Sequence, residues 1–182
     1  MALSTSEARR PLVTASALHA FARGGYHGTT VSDVAHEAKI SPAYVFKLFP
    51  SKERLFVAAL DDCFARVVDA LRTGADESHE QTPTGILDAM GDAYAHLISD
   101  RDLLMIQVHA QSVANIPEVR QSLRAGLARV TRFASSRSGA DDEAVQRFIA
   151  YGQLCHLIVT VGLEDIDEGW AEALSRGITH PD

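Results

Sequence analysis

Cysteine is nearly absent from this chain of 182 residues, which has only Cys63 and Cys155. Their separation fits no metal motif, and two thiols are too few for a disulfide framework, so a reducing cytoplasm is the expected compartment. Long apolar runs are missing too. The longest, LIVTVGL at 157–163, falls far short of the ~20 residues that span a bilayer, and no membrane role is expected. The first ten residues, MALSTSEARR, are polar and unlike a signal peptide. Eight histidines are present, but none forms an HxxxH or HExxH pattern. His96 and His109 fall on different predicted helices without a third ligand, so neither a metal nor another cofactor is expected. No glycine-rich phosphate loop occurs, and Asp61-Asp62 and Asp141-Asp142-Glu143 read as helix-start or surface charge. These absences argue against an enzyme. Strand alternation and internal repeats are also lacking, which leaves an all-α chain.

Basic charge is scarce overall, with a net charge of −7, but it is not evenly spread. Residues 1–55 hold seven Lys/Arg (9, 10, 23, 39, 47, 52, 54) against four acids (7, 33, 37, 53), a balance of +3. The remaining residues hold ten Lys/Arg against twenty acids, a balance of −10. A basic N-terminal unit on an acidic body suits a protein in which one end meets phosphate.

Taken in order, the pattern predicts about nine helices. Pro11 suits a helix's first turn, so the first helix is expected to begin near Arg9 or Arg10, after a loose arm. Val13, Ala17, Ala20 and Phe21 form its buried stripe, and Gly24-Gly25 ends it. Thr30 and Asp33 make a capping box for a short second helix with Val34, Ala35 and Ala38 on its apolar face. After a tight turn at Lys39-Ile40, Ser41 caps a third helix with Pro42 at its first position. Pro50 ends that helix, and Ser51 caps a fourth over 52–73, which Gly74 stops. This fourth helix carries an apolar stripe from Leu55 to Leu71. Further helices are predicted from Thr84 to Ser99-Asp100, over 101–114, from Pro117 to Gly139, over 142–163 and around Trp170. In the seventh, Val119, Leu123, Leu127, Val130 and Phe133 are expected inside. The eighth is apolar on nearly all faces in its second half, and a partner subunit is its expected cover.

Two short helices crossing at a tight turn have the layout of a helix-turn-helix, whose second helix enters a DNA major groove. Phe21-Ala22, Gly25-Tyr26, Gly28-Thr29-Thr30, Val34-Ala35, Ala38, Ile40-Ser41, Phe49-Pro50, Lys52-Glu53 and Leu55-Phe56 together resemble the TetR (TetR/AcrR) family of transcriptional regulators, over roughly residues 9 to 60. The resemblance implies a three-helix DNA-binding domain over 1–51. It also implies a helical ligand-binding and dimerisation bundle over 52–182, whose last two helices, the eighth and ninth, make a dimer. Two positions depart from the pattern. Lys39 occupies a turn position where the family usually has Gly and a positive φ is expected, and Phe46 stands where a phosphate-touching Tyr is common.

Helical spacing in the third helix turns Val45, Leu48 and Phe49 inward and Pro42, Ala43, Phe46 and Lys47 outward, with Tyr44 at the edge. The expected DNA contacts are therefore Thr30, Ser41, Pro42, Ala43, Tyr44, Phe46, Lys47 and Lys52. Pro42 and Ala43 suit a thymine methyl, and Lys47, Lys52 and Thr30 suit phosphate. So small a module needs a second copy on a palindromic operator, which makes the partners double-stranded DNA and a homodimer. For the input, an unidentified small-molecule effector, the candidate pocket residues are Phe64, Met90, Tyr94, Met105 and His109. For the dimer they are Tyr151, Cys155, Ile158, Val159, Gly162 and Trp170. The expected function is a ligand-released repressor. The rival reading is a helical small-molecule or partner-binding protein with weak or lost sequence-specific DNA binding.

Overall fold

Side-chain caps set most of the helix starts. The computed structural model describes residues 5–178, and among them the chain forms nine α-helices and one 3-10 turn. These are α1 (Thr5–Gly28), α2 (Val31–Glu37), α3 (Pro42–Leu48), α4 (Lys52–Glu77), α5 (Pro83–Ile98), α6 (Arg101–Ser112), α7 (Pro117–Ser138), α8 (Asp142–Val161) and α9 (Gly169–Ser175), with the 3-10 turn at Leu163–Asp165. Thr30, Ser41, Thr82 and Asp141 cap α2, α3, α5 and α8 through side-chain oxygens that accept a backbone N–H of the first turn. Ser51 does the same for α4, accepting from the Arg54 N–H at 3.2 Å. Each cap satisfies a donor that the helix itself leaves unpaired.

Several boundaries differ from expectation. Helix α1 begins at Thr5, so Pro11 lies inside it. A proline costs a helix one N–H and crowds the carbonyl four residues back, but that carbonyl belongs to the first turn of α1 and the helix continues through Pro11. The break comes at Gly25, whose φ of 67° and ψ of 175° only glycine adopts readily. Helix α6 stops at Ser112 because tighter bonds take over, from the N–H groups of Val113, Ala114 and Ile116 to carbonyls three residues back. Helix α8 stops at Val161, where Gly162 turns left-handed at φ 65°.

The chain divides into two compact units, one comprising residues up to Ala65 together with Arg101–Gly126, the other Arg66–Asp100 together with Leu127 onward. In the first, α1 packs along α6 and against α2 and α3. Its core holds Val13, Phe21, Val34, Val45, Leu55 and Phe56, all fully buried. The Phe21 and Phe56 rings meet edge-on at 4.9 Å between centroids, a favoured aromatic geometry. Buried Cys63 donates its S–H to the Leu103 carbonyl at 3.3 Å.

In the second unit α5 packs against α8. Gly74 does not stop α4, which continues to Glu77. A Cβ at Gly74 would lie 2.4 Å from the Ala89 carbonyl oxygen and 2.8 Å from the Ala93 Cβ, so the glycine lets α4 and α5 touch backbone to side chain. Helix propensity alone favours Gly74→Ala by about 1 kcal/mol. Overpacking against a fixed carbonyl costs about 1–3 kcal/mol and wins. Gly74→Ala is therefore expected to lower the midpoint of urea unfolding; a variant as stable as the parent would show that α5 shifts freely. Of the residues expected inside α7, Val119, Leu123 and Val130 are buried and Phe133 is half-buried, but Leu127 is 41% exposed; Gly126 and Ala134 complete the buried face.

Candidate nucleic-acid interface

Helix α3 has two chemically distinct faces. Val45 and Leu48 are buried, as is Phe49 just beyond, whereas Ser41, Pro42, Ala43, Phe46 and Lys47 are exposed and Tyr44 is half-exposed. Phe46 is 49% exposed, so no packing explains an aromatic side chain there. The Lys47 ammonium lies 6.0 Å from the Tyr44 ring centroid on the same outward side.

The helix is held at both ends. At its start Ser41 Oγ accepts from the Tyr44 N–H at 3.3 Å. At its end the Arg10 guanidinium donates to the Leu48 carbonyl at 2.5 Å and lies 4.7 Å over the Phe49 ring. A cation on the last carbonyls of a helix matches its dipole and satisfies an orphan acceptor. Arg10 thus positions α3, a role the sequence hides because its partner lies far along the chain.

A second anchor joins the start of α4 to the last turn of α1. The Tyr26 hydroxyl donates to Glu53 Oε1 at 2.7 Å. Burial and this bond to a carboxylate raise the Tyr26 pKa, and the same bond lowers that of Glu53. Lys52 stacks its ammonium 4.6 Å over the Tyr26 ring, and its charge also helps to lower the pKa of Asp33, chiefly depressed by the Thr30 backbone N–H. Lys52 and Thr30, both expected at phosphate, therefore share one corner. Thr30 differs from expectation in one respect. Its hydroxyl donates to Asp33 Oδ2 at 2.7 Å while accepting from the Asp33 N–H, so its donor is spent within the capping box. Lys39 has the expected positive φ, 54°. Arg23 pairs with Glu37 at 2.8 Å, and His19 bridges Arg23 and Asp102, tying α1 to α2 and α6.

The pocket candidates fall in both units. Phe64 packs on the backbone of Gly126, where a Cβ would come within 2.2 Å of the ring. Met105 is half-buried. His109 Nε2 bonds the Ala22 carbonyl at 3.1 Å, and its ring lies against Gly25, so it serves as a strut that holds the end of α1. In the other unit Met90 and Tyr94 are buried. The Tyr94 hydroxyl bonds His156 Nε2 at 2.6 Å, while His156 Nδ1 is buried without a partner. Burial pushes the His156 pKa down to about 4. Sequence reasoning missed His156 because a lone His on an apolar helix carries no signal of its own. Among the described residues no three His, Cys, Asp or Glu side chains cluster to hold a metal, and no helix is long and apolar enough to cross a membrane.

The dimer candidates separate by burial. Tyr151 and Trp170 are exposed, and Val159 and Gly162 are partly so. Cys155 and Ile158 are buried within the chain, and burial raises the Cys155 thiol pKa, so these two face inward rather than outward. The apolar residues exposed on α8 also include Leu157 and Val161, and Leu174 is exposed on α9.

Comparison with known proteins agrees with this geometry. Residues 13–59 match the family model described as bacterial regulatory proteins, tetR family. The chain is 29% identical over 117 residues to the uncharacterized HTH-type transcriptional regulator YuxN of Bacillus subtilis, covering 62% of this chain and 38% of YuxN. It is 24% identical over 107 residues to IcaR, the biofilm operon icaADBC HTH-type negative transcriptional regulator of Staphylococcus epidermidis, covering 59% of this chain and 54% of IcaR. These matches thus span about two-fifths and about half of the two relatives. The fold is similar to that of the transcriptional regulator FadR from Bacillus subtilis, solved in complex with stearoyl-CoA, with a TM-score of 0.70 and 18% identity over 93% of this chain and 99% of that one. The basic N-terminal unit, its capped helix-turn-helix and the matched segment agree, and residues 13–59 form a DNA-binding domain of the type found in the TetR family of transcriptional regulators.

Proposed function

We propose that the protein is a ligand-responsive repressor that binds a palindromic operator as a homodimer in the cytoplasm. The observation that carries this reading is the two-faced α3. A seven-residue helix with a fully buried back exposes a phenylalanine, a tyrosine and a lysine on its front. Apolar and aromatic groups next to a cation suit base edges flanked by phosphate. Repression is supported by IcaR, which is a negative regulator.

Pairing of two copies is assigned to α8 and α9. Ala150, Leu154, Leu157 and Val161 recur at helical spacing, all exposed or half-exposed, with Tyr151 and Trp170 nearby in sequence. Leu157→Glu with Val161→Glu is expected to give a monomer in sedimentation and to lose operator affinity more than ~100-fold, because each half-site alone is read weakly. A dimer that survives both charges would move the interface elsewhere.

The effector reading rests on Met90, Tyr94 and His156: apolar surroundings with sparse polar groups, one of which lacks a partner. FadR from Bacillus subtilis, similar in fold, was solved in complex with stearoyl-CoA, which supports the reading of a small-molecule effector. Helix α4 runs unbroken from Lys52 at the reading head to Glu77, with its residues divided between the two units. An effector that favours one angle of α4 over another changes the separation of the two α3 helices, provided it binds the two states with different affinity. The test is binding of the purified protein to DNA fragments from its own genome, measured by anisotropy at several salt concentrations. Selective, salt-sensitive binding to inverted repeats is expected. Binding without selectivity, seen only at low salt, would leave the rival sensor reading.

A further inference from the structure

Lys39 is the one described non-glycine residue with a positive φ, 54°. The turn around it is a Schellman-type helix end, in which the Ile40 N–H bonds the Ala35 carbonyl at 3.0 Å and the Lys39 N–H bonds the His36 carbonyl at 3.1 Å. That position favours glycine, because a Cβ in the left-handed region meets its own backbone. The Lys39 side chain is exposed, so no packing offsets the strain. Strain retained without a packing reason points to a use for the side chain.

The surroundings supply one. Lys39, Arg9, Ile40, Ser41 and Tyr44 line a single open cleft at the N-terminal end of α3. Asp33, Glu37 and Glu53, acids of the same unit, are engaged with Thr30, Arg23 and Tyr26. Among the described residues, the Lys39 and Arg9 side chains have no hydrogen-bond or ion-pair partner. Two unneutralised cations beside a hydroxyl and a phenol suit an anion with several oxygens.

We propose that Lys39, together with Arg9, clamps a DNA backbone phosphate at the N-terminal end of the recognition helix. This rests on the DNA-binding reading above. The lysine that looks like a flaw in the turn is then a trade of backbone comfort for a phosphate contact.

The experiment compares the parent with Lys39→Gly, Lys39→Gln and Lys39→Arg by anisotropy on a selected operator, over a range of salt. Lys39→Gly and Lys39→Gln are expected to weaken binding about 3- to 10-fold at low salt and to flatten the log–log salt dependence by about one ion per protomer. The loss should be similar across operator sequences, since phosphate carries no sequence information. Lys39→Arg should keep the parent's slope, and Lys39→Gly should unfold at an equal or higher temperature than the parent. A Lys39→Gln variant with the parent's affinity and slope overturns the proposal, because it keeps the strained turn and removes only the charge. So does saturable binding of inorganic phosphate that Lys39→Gln abolishes while DNA affinity stays unchanged. A parent protein that selects no DNA sequence overturns the DNA-binding reading and this proposal with it.

Discussion

Tyr44→Ala combined with Lys47→Ala is expected to lower operator affinity by at least ~100-fold while leaving the protein folded and dimeric. A base contact of good geometry contributes about 1–3 kcal/mol, and a dimer loses each contact twice. The fold should tolerate the change because both side chains face outward. Tyr44 contributes its backbone N–H, not its ring, to the Ser41 cap. Lys47 approaches the Tyr44 ring at 6.0 Å, so removing both leaves no orphan. The check is anisotropy for binding, with thermal unfolding and sedimentation run on the same sample. Unfolding of the double variant would make Tyr44 a core residue. By contrast, Leu48→Ala, on the buried face, should cost about 2–5 kcal/mol of stability.

The second large effect concerns pH. His156 is 5% exposed, and burial lowers its pKa from the ordinary 6.5 to about 4. The unfolded chain therefore binds a proton between these values and the folded chain does not. The stabilisation is fully present above about pH 6.5 and is lost as pH falls through about 4. The gap corresponds to about 3 kcal/mol, taken as an order of magnitude. His156→Gln, which cannot titrate, should flatten the stability profile across that window. Urea unfolding at pH 7, 6, 5 and 4 reads this directly. Parallel profiles for the two proteins would mean that His156 accepts a proton in the folded state, through water or a rearranged Tyr94. An effector bonding His156 Nδ1 should protect the parent in the same assay.

What was legible in the sequence was local. The caps at Thr30 and Ser41 lie three residues before the N–H groups they accept from, and each is present. The inward and outward sets of α3 follow from helical spacing alone, and burial divides them as expected. The positive φ at Lys39 was expected from the resemblance, which places a Gly at that turn position, and it is present. What was not legible depends on distant partners. Arg10 reaches Leu48, 38 residues away, and His109 reaches Ala22, 87 residues away. No local pattern announces either contact. Gly74 invited the rule that glycine ends helices, but the demand made by Ala89 and Ala93 is tertiary. Helix α8 failed for a related reason. A helix apolar all round has no readable inward side, and only packing shows that Cys155 and Ile158 turn inward while Leu157 and Val161 do not.

Arg10 also shows how the reading head depends on more than its reading residues. It holds the last carbonyl of α3 and covers Phe49, while Tyr26, Glu53 and Lys52 fix the start of α4 beside the α2 cap. Contacts of this kind touch no base themselves but set the angle at which α3 is presented, which decides how many of its side chains reach base edges.

The most direct test of the central claim, that α3 reads DNA, is selection of bound fragments from the protein's own genome followed by footprinting of the enriched sites. The account predicts an inverted repeat protected as two half-sites, separated by about one helical turn or a multiple of it. It also predicts that the Tyr44→Ala, Lys47→Ala protein enriches nothing. Equal enrichment by parent and variant, or a footprint without sequence preference, would contradict it.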